Sequence, residues 1–243
     1  MNTFKLILEY DGTDFSGWQL QPGERTVQGV LEKGLKQISG QKIRVTGASR
    51  TDAGVHALGQ VVHFRASLKM PLNRLRHSLN AVLPEDLSVL KVTLAPSDFH
   101  AIRSARKKTY IYSIWNSPVR PVLARKTTWH LWQDLDLKKM REAASFLKGR
   151  HNFLAFEGTK ASSQTKEREI YSIKIRSGQP IQIEFTANGF LKYMVRNMVG
   201  TLVDVGLGKW NPQEIQRILH SRNRQQAGRT APAQGLFLKK VFY

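Results

Sequence analysis

The sequence predicts an α+β fold in which two halves each follow the order β-α-β-β-α-β. Short apolar or alternating runs predict strands, and apolar residues that recur every three or four positions predict helices. The same order of elements occurs twice along the 243 residues. This order is that of a ferredoxin-like unit. We expect the strands of the two halves to pair into one continuous, mainly antiparallel sheet with the helices on one face.

The first half comprises residues 1–105. Thr26 is a good N-cap residue for a helix with one apolar stripe, and Pro71 suits the first turn of another helix. The predicted elements are a strand at Thr3–Tyr10, a helix at Thr26–Ser39, strands near Lys42–Ala48 and Gly59–Ala66, a helix from Pro71 to about Leu83, and a strand at Leu87–Leu94.

The second half comprises residues 106–243 and repeats the plan in its order of elements, although not in sequence identity. Apolar residues alternate with polar ones at Ile181–Ala187, which is typical of a strand. The predicted elements are a strand at Lys107–Trp115, a helix near Asp136–Leu147, strands near Glu169–Arg176 and at Ile181–Ala187, a helix from about Gly189 to Val205, and a strand at Gly235–Phe242.

Two segments, Ala95–Arg106 and Glu157–Arg168, are predicted to be loops. Long polar loops are uncommon in compact domains unless they have a function, and RNA binding is a reasonable one here. Lys160, Lys166 and Arg168 are candidate phosphate contacts, although a solvated surface loop explains them equally well.

The charge of the chain points to a polyanionic partner. Lys and Arg number 38 against 18 Asp and Glu, for a formal net charge of +20, and the basic residues are spread along the whole chain. Such an imbalance destabilises a compact fold by self-repulsion, so it usually serves to bind a polyanion. Nucleic acid is the leading partner, and an anionic membrane surface is the second.

Composition also excludes several kinds of chemistry. The chain has no cysteine, which excludes disulfides, thiol catalysis and thiolate metal sites. None of the seven histidines falls in a close-spaced metal-binding pattern, so no metal is expected. No apolar stretch approaches the ~20 residues that cross a bilayer. The N-terminus lacks the features of a signal peptide, and we therefore expect a cytoplasmic protein.

Residues 47–60, GASRTDAGVHALGQ, have an unusual composition for a connector between strands. Arg50, Asp52 and His56 lie among small residues and glycines that permit tight backbone paths. An isolated Asp in a loop is most often a turn residue or a helix cap. Arg50 can be interpreted as a salt-bridge partner of Asp52 or as a phosphate ligand.

Residues Arg50–His56, RTDAGVH, resemble the signature of the TruA family of tRNA pseudouridine synthases. Further segments are similar to the family's other signatures and occur in the family's order: Glu9–Gly12, Gly17–Gln19, Arg25–Gln28, Asp98–Ala101, Met194–Asn197 and Ala227–Pro232. One such match could arise by chance, but the whole series could not.

The resemblance implies that Asp52 is the catalytic nucleophile, in a basic cleft between the two halves. Formation of pseudouridine breaks the N1–C1′ bond, turns the base and joins C5 to C1′. A carboxylate can hold the intermediate covalently by attacking either C1′ of the ribose or C6 of the base. It must be ionised, so a neighbouring cation is expected. The reaction needs no cofactor.

The resemblance also implies the substrate and the assembly. The substrate is tRNA, the targets are uridines 38, 39 and 40 of the anticodon arm, and the enzyme is a homodimer. Arg50 is expected to contact the backbone of the flipped nucleotide, because the target base must leave its stack to reach Asp52.

Arg196 and Tyr110 are the remaining candidate site residues. Arg196 lies on an apolar predicted helix, on the face that also carries Gly189 and Lys192, and could form an ordinary ion pair or extend to solvent. The resemblance implies instead that it pairs with Asp52. Tyr110 lies on a strand, where aromatic residues usually belong to the core. The resemblance implies that it stacks on the target uracil.

Two other functions are compatible with parts of the sequence. A non-catalytic, basic RNA-binding protein of ferredoxin-like fold matches the charge and the size, but it gives no reason for the Arg50–Asp52 segment. A glycoside or nucleoside hydrolase would cleave the same bond, but such enzymes generally use two carboxylates. No second acidic residue lies near Asp52 in the sequence.

Overall fold

A computed structural model describes residues 1–159 and 165–243 of the chain. The described residues form ten β-strands and five α-helices, which confirms the predicted α+β class. In chain order these elements are β1 (Asn2–Tyr10), α1 (Val27–Ser39), β2 (Thr46–Gly47), β3 (His56–Ala66), α2 (Leu72–Val82), β4 (Leu87–Ala95), β5 (Lys107–Asn116), β6 (Trp129–Leu131), α3 (Leu137–Ser145), β7 (Gly149–Asn152), β8 (Glu167–Arg176), β9 (Ile181–Ala187), α4 (Met194–Gly206), α5 (Glu214–Ser221) and β10 (Leu236–Phe242). The chain divides into two compact units, Met1–Arg106 with Phe237–Tyr243, and Lys107–Leu236.

The first unit contains strands in the order β4-β1-β3-β10, and β2 pairs with β3 as well. All pairs are antiparallel except β3 with β10, which is parallel. The predicted apolar stripe of α1 is confirmed, because Leu31 and Leu35 are fully buried, as are Leu6 and Leu8 of β1. Thr26 caps α1 by accepting a hydrogen bond from the backbone N–H of Gly29. Strand β10, the last element of the chain, thus belongs to the first unit.

The second unit contains strands in the order β5-β9-β8-β7, and β6 pairs in parallel with β5. The pairs β5–β9, β8–β9 and β7–β8 are antiparallel. The core of this unit includes Ile183 and Phe185 of β9 and Met198 and Leu202 of α4, all fully buried. Because α4 is buried on most of its sides, its polar residues need partners within the protein.

Two predicted elements are shorter in the structure. The strand predicted near Lys42–Ala48 is limited to Thr46–Gly47. The helix predicted from Gly189 begins at Met194, after Tyr193, whose φ of 60° is left-handed. The backbone N–H of Gly158 donates to the carbonyl of Lys192 at 2.8 Å, so a tertiary contact holds the residues before α4 outside the helix. The prediction that Gly189 and Lys192 share a helix face with Arg196 was therefore wrong.

Three elements had no clear signal in the sequence. Strands β6 and β7 have three and four residues, too few for a periodic pattern. Helix α5 has eight residues and buries Ile215, Ile218 and Leu219. Its short amphipathic pattern was missed because it lies in an otherwise polar region.

The predicted loop at Glu157–Arg168 is described only in part. Lys160 lies outside the described residues, and Arg168 belongs to β8. The Lys166 ammonium lies 2.6 Å from a carboxylate oxygen of buried Glu157. An ion pair inside the unit therefore accounts for Lys166. Within the two described ranges, no helix is long and apolar enough to span a bilayer.

Candidate functional site

The segment that carries Asp52 leaves the first unit's sheet between β2 and β3. The backbone N–H of Ala48 donates to the carbonyl of Val61 at 2.7 Å, as in a continuing strand. At the next residue, Ser49, the side chain of Gln60 takes the place of a backbone partner on the neighbouring strand. The Ser49 N–H donates to Gln60 Oε1 at 3.2 Å, and Gln60 Nε2 donates to the Ser49 carbonyl at 2.7 Å. The backbone that enters Arg50 is therefore held at both of its polar groups.

Thr51 anchors the next step of the loop. Its carbonyl accepts from the backbone N–H of Trp18 at 3.0 Å. Its hydroxyl lies 2.7 Å from the hydroxyl of Tyr10, and both side chains are buried. Arg50, on one side of Thr51, is exposed, whereas Asp52, on the other side, is half-buried.

A tight turn follows Asp52. The N–H of Val55 donates to the carbonyl of Asp52 at 3.1 Å, and the N–H of Gly54 donates to the carbonyl of Phe15 at 3.3 Å. Gly54 has a φ of 76°, in the left-handed region that favours glycine. The backbone is thus hydrogen-bonded on both sides of Asp52. Such support is what keeps a reactive side chain in a defined position.

The segment around Gly17 and Trp18 packs directly against this loop. A Cβ atom on Gly17 would lie 2.8 Å from the carbonyl oxygen of Thr51. The Gly17 carbonyl in turn accepts from the N–H of Val27 at 3.1 Å, and that of Trp18 accepts from Gln28 at 3.0 Å. Segments that are distant in the sequence therefore converge on the backbone of Asp52.

His56 lies beneath the turn, buried and stacked on Phe237 with ring centroids 4.6 Å apart. Its Nδ1 is 3.0 Å from an Asp11 carboxylate oxygen and 3.1 Å from the backbone nitrogen of Gly12. The first contact needs a proton on Nδ1, and the second needs a lone pair there. No single protonation state of Nδ1 satisfies both contacts. His56 thus joins β3 to the end of β1.

In the second unit, Tyr110 lies on β5 and is 7% exposed. Its ring meets that of Phe190 edge to face, with centroids 5.1 Å apart. Lys108 precedes it by two residues and shares its face of the strand. Burial, together with the charge of Arg168, lowers the pKa of Lys108 to about 8. Tyr112 is a core residue: its hydroxyl donates to the carbonyl of Pro232 at 2.8 Å, and burial raises its pKa.

Arg196 lies in the first turn of α4 and is half-buried. Its Nε donates to the carbonyl of Ala231 at 2.7 Å, and the N–H of Ala231 donates to the carbonyl of Arg196 at 3.1 Å. The guanidinium also lies over the ring of Tyr193, 5.0 Å from its centroid. The residue is thereby fixed against the segment 227–232.

A buried amide supports the same segment. Asn197 Oδ1 accepts from the Thr230 hydroxyl at 2.7 Å and from Arg224 at 3.0 Å. Its Nδ2 donates to the carbonyl of Phe156 at 2.7 Å. The guanidinium of Arg229 lies 4.7 Å from the centroid of the Trp129 ring. Sequence reasoning did not assign roles to Asn197 or Arg229.

The predicted site residues therefore fall into two groups. Arg50 and Asp52 share one supported loop in the first unit, and Tyr110 and Arg196 lie on β5 and α4 of the second. Gln60 and Gly17 were not predicted to support the loop. A signal for Gln60 existed, since it is a polar residue in the otherwise apolar run ALGQVV. Within the described ranges, no group of three His, Asp or Glu side chains is arranged to hold a metal ion.

Comparisons with known proteins identify the family of the chain. The sequence pattern of the family described as tRNA pseudouridine synthase matches residues 6–102 and 143–243. A tRNA pseudouridine synthase A of Ruminiclostridium cellulolyticum is 42% identical over 245 residues, covering 100% of both chains. That of Pelobacter propionicus is 44% identical over 244 residues, again covering 100% of both chains. A chain from the solved structure of an H/ACA ribonucleoprotein, bound to a substrate RNA that contains 2′-deoxyuridine, is 11% identical, with a TM-score of 0.36. The alignment covers 83% of this chain and 53% of that chain. This similarity is too weak to support a conclusion.

Proposed function

The chain belongs to the tRNA pseudouridine synthase family and is an isomerase that acts on tRNA; from this premise we propose that it modifies uridines 38, 39 and 40 of the anticodon arm, with Asp52 as the nucleophile. The observation that carries the proposal is the half-buried carboxylate of Asp52 on a loop whose backbone is hydrogen-bonded before and after it. A nucleophile held in this way loses little freedom when the substrate arrives.

The chemistry needs one carboxylate and no net gain or loss of atoms. Asp52 attacks C1′ or C6, and the N1–C1′ bond breaks. The base turns, C5 bonds to C1′, and the C5 proton is lost while N1 gains one. If Asp52 is bonded to C1′, that bond breaks as C5 attacks C1′; if it is bonded to C6, that bond breaks after C5 has joined C1′. Splitting one difficult step into easier ones is the usual benefit of a covalent intermediate.

We assign supporting roles to three cationic or aromatic residues. Arg50, exposed beside Asp52, is suited to bind the phosphate backbone of the flipped nucleotide. Tyr110 would stack on the target uracil. Arg196 would stabilise the ionised form of Asp52, since an opposite charge nearby favours a carboxylate. Its fixed orientation against Ala231 supports such a role.

The proposal extends to architecture and assembly. Within the first unit, β4, β1, β3 and β2 are neighbours in the order of a ferredoxin-like sheet, with α1 and α2 in the connections. We propose that the first half carries the nucleophile, that the second half carries Tyr110 and Arg196, and that a continuous sheet with a basic cleft unites them. A homodimer would extend the surface available to the tRNA body, and a tRNA substrate implies the cytoplasm.

Unmodified tRNA transcripts provide the test. Position-resolved mapping of pseudouridine after incubation should find the product at positions 38–40 with the wild-type protein and none with Asp52→Ala. RNA affinity should survive the substitution, because phosphate contacts dominate it. If the Asp52→Ala variant still forms product, the assigned nucleophile is wrong. A protein that binds tRNA but modifies no position would support the non-catalytic alternative.

A further inference from the structure

One edge of β3 has two different neighbours along its length. Strand β2 pairs with it in antiparallel fashion at Val62 and His63, and β10 pairs with it in parallel at His56 and Ala57. Close packing extends the β10 contact to Gly59, where a Cβ atom would lie 2.7 Å from the carbonyl oxygen of Lys239. The loop with Asp52 leaves the sheet where one neighbour replaces the other, and Gln60 lies at that point.

The Gln60 carboxamide takes the place of a strand partner. It accepts from the Ser49 N–H and donates to the Ser49 carbonyl, as a neighbouring backbone would. Gln60 is 0% exposed and Ser49 is 8% exposed, so water cannot readily replace either bond. A carboxamide offers a donor and an acceptor side by side without carrying a charge, which matches the N–H and the carbonyl of Ser49.

We propose that Gln60 is a positioning residue for Arg50 and Asp52. The inference rests on the proposed function, because it assumes that Asp52 is the nucleophile. Ser49 directly precedes Arg50, so the carboxamide determines where the chain turns away from the sheet. Gln60 itself is fully buried, so we assign it no direct contact with RNA. Its loss should therefore mainly reduce kcat, and RNA affinity should change at most by the share of the single phosphate contact proposed for Arg50.

The first test is Gln60→Met, which keeps the approximate volume and removes both hydrogen bonds. The control is Asn80→Leu, which removes the same pair of hydrogen bonds at a more exposed position. The carboxamide of Asn80 also bonds both backbone groups of one residue, Val89, with the N–H at 2.7 Å and the carbonyl at 3.0 Å. It joins α2 to β4, away from the loop. Each variant would be assayed for kcat, KM, tRNA affinity and melting temperature.

We expect both variants to melt at lower temperature than the wild type. Only Gln60→Met should lose kcat, by on the order of 100-fold, since a displacement of about 1 Å at a reacting group can have that effect. Equal losses of kcat in the two variants would overturn the proposal, because general destabilisation would then explain them. Wild-type kcat in a folded Gln60→Met protein would overturn it as well.

A second variant keeps the proposal testable if Gln60→Met does not fold. In Gln60→Glu, a neutral carboxyl group can still accept from the Ser49 N–H and donate to its carbonyl, whereas a carboxylate cannot donate. The ratio of variant to wild-type kcat should therefore rise as the pH falls. A ratio near unity at every pH would contradict the positioning role. Inactive wild-type protein would instead refute the proposed function and leave the geometry of Gln60 untouched.

Discussion

Replacement of Gly17 by alanine should reduce catalysis through the backbone of the Asp52 loop. Gly17 has a φ of 93°, and its added Cβ would lie 2.8 Å from the Thr51 carbonyl oxygen and 3.2 Å from the Ala53 nitrogen. Gly23 is a matched control, because its φ is 76° and its added Cβ would have no atom within 4 Å.

Both substitutions place an alanine in a left-handed backbone conformation, but only Gly17→Ala also brings the new Cβ atom too close to the Asp52 loop. A left-handed conformation costs an alanine roughly 1–2 kcal/mol, and both variants should lose about that much stability. Only in Gly17→Ala must the loop retreat, by about 0.6 Å, to restore an ordinary contact at Thr51. Since a misplacement of about 1 Å can cost ~100-fold in rate, we expect a loss of roughly tenfold in kcat.

Steady-state pseudouridine formation on a tRNA transcript would measure kcat and KM for both variants, and chemical denaturation would measure stability. We expect Gly23→Ala to retain the wild-type kcat and Gly17→Ala to lose it at unchanged KM. If the two variants have equal kcat, the packing of Gly17 does not control the position of Asp52, and the reasoning about a supported loop fails.

Three other predictions concern the second unit, the pH response and the RNA. Arg196→Lys keeps the charge but loses the Nε donor to Ala231, so kcat should fall by roughly tenfold or more with little change in tRNA affinity. Burial lowers the pKa of both His63 and His100 from the ordinary value of 6.5. As the pH falls, the unfolded chain therefore takes up protons before the folded protein does. We expect the melting temperature to fall as the pH drops below about 6.5. The fall should be less steep in His100→Gln, which keeps only one of the two histidines. If six or more phosphates are contacted, the tRNA affinity of Asp52→Ala should drop by about 10³-fold between ~50 and ~200 mM salt in a filter-binding assay, whereas a flat response would exclude a phosphate-dominated interface.

Local patterns predicted most of the elements correctly. Thr26 and Asp136 cap α1 and α3 through their own side chains, and β9 occupies the range that its alternating residues predicted. Caps and periodicity are properties of neighbouring residues, so the sequence contains them directly. The predicted start of α4 was too early, because the apolar pattern includes Phe190 and Leu191, whereas tertiary contacts keep these residues outside the helix, which begins at Met194.

The sequence was enough to propose the site residues, but not the contacts that hold the Asp52 loop in place. The resemblance of the Arg50–His56 segment to the family's signature implied Asp52 as the nucleophile, and this role stays a prediction. The contacts of Gln60, Gly17 and Asn197 were not predicted, because their partners are brought near only by folding.

By itself, the sequence determined the excess of positive charge and the local elements, since both follow from residue types and short-range spacing, and its family resemblance implied Asp52 as the nucleophile. Only the tertiary structure decided how the Asp52 loop is held. The bond between Tyr10 and Thr51 joins residues 41 positions apart, and β10 reaches β3 from the other end of the chain. Such contacts depend on which elements become neighbours, and no pattern within a single segment encodes that choice.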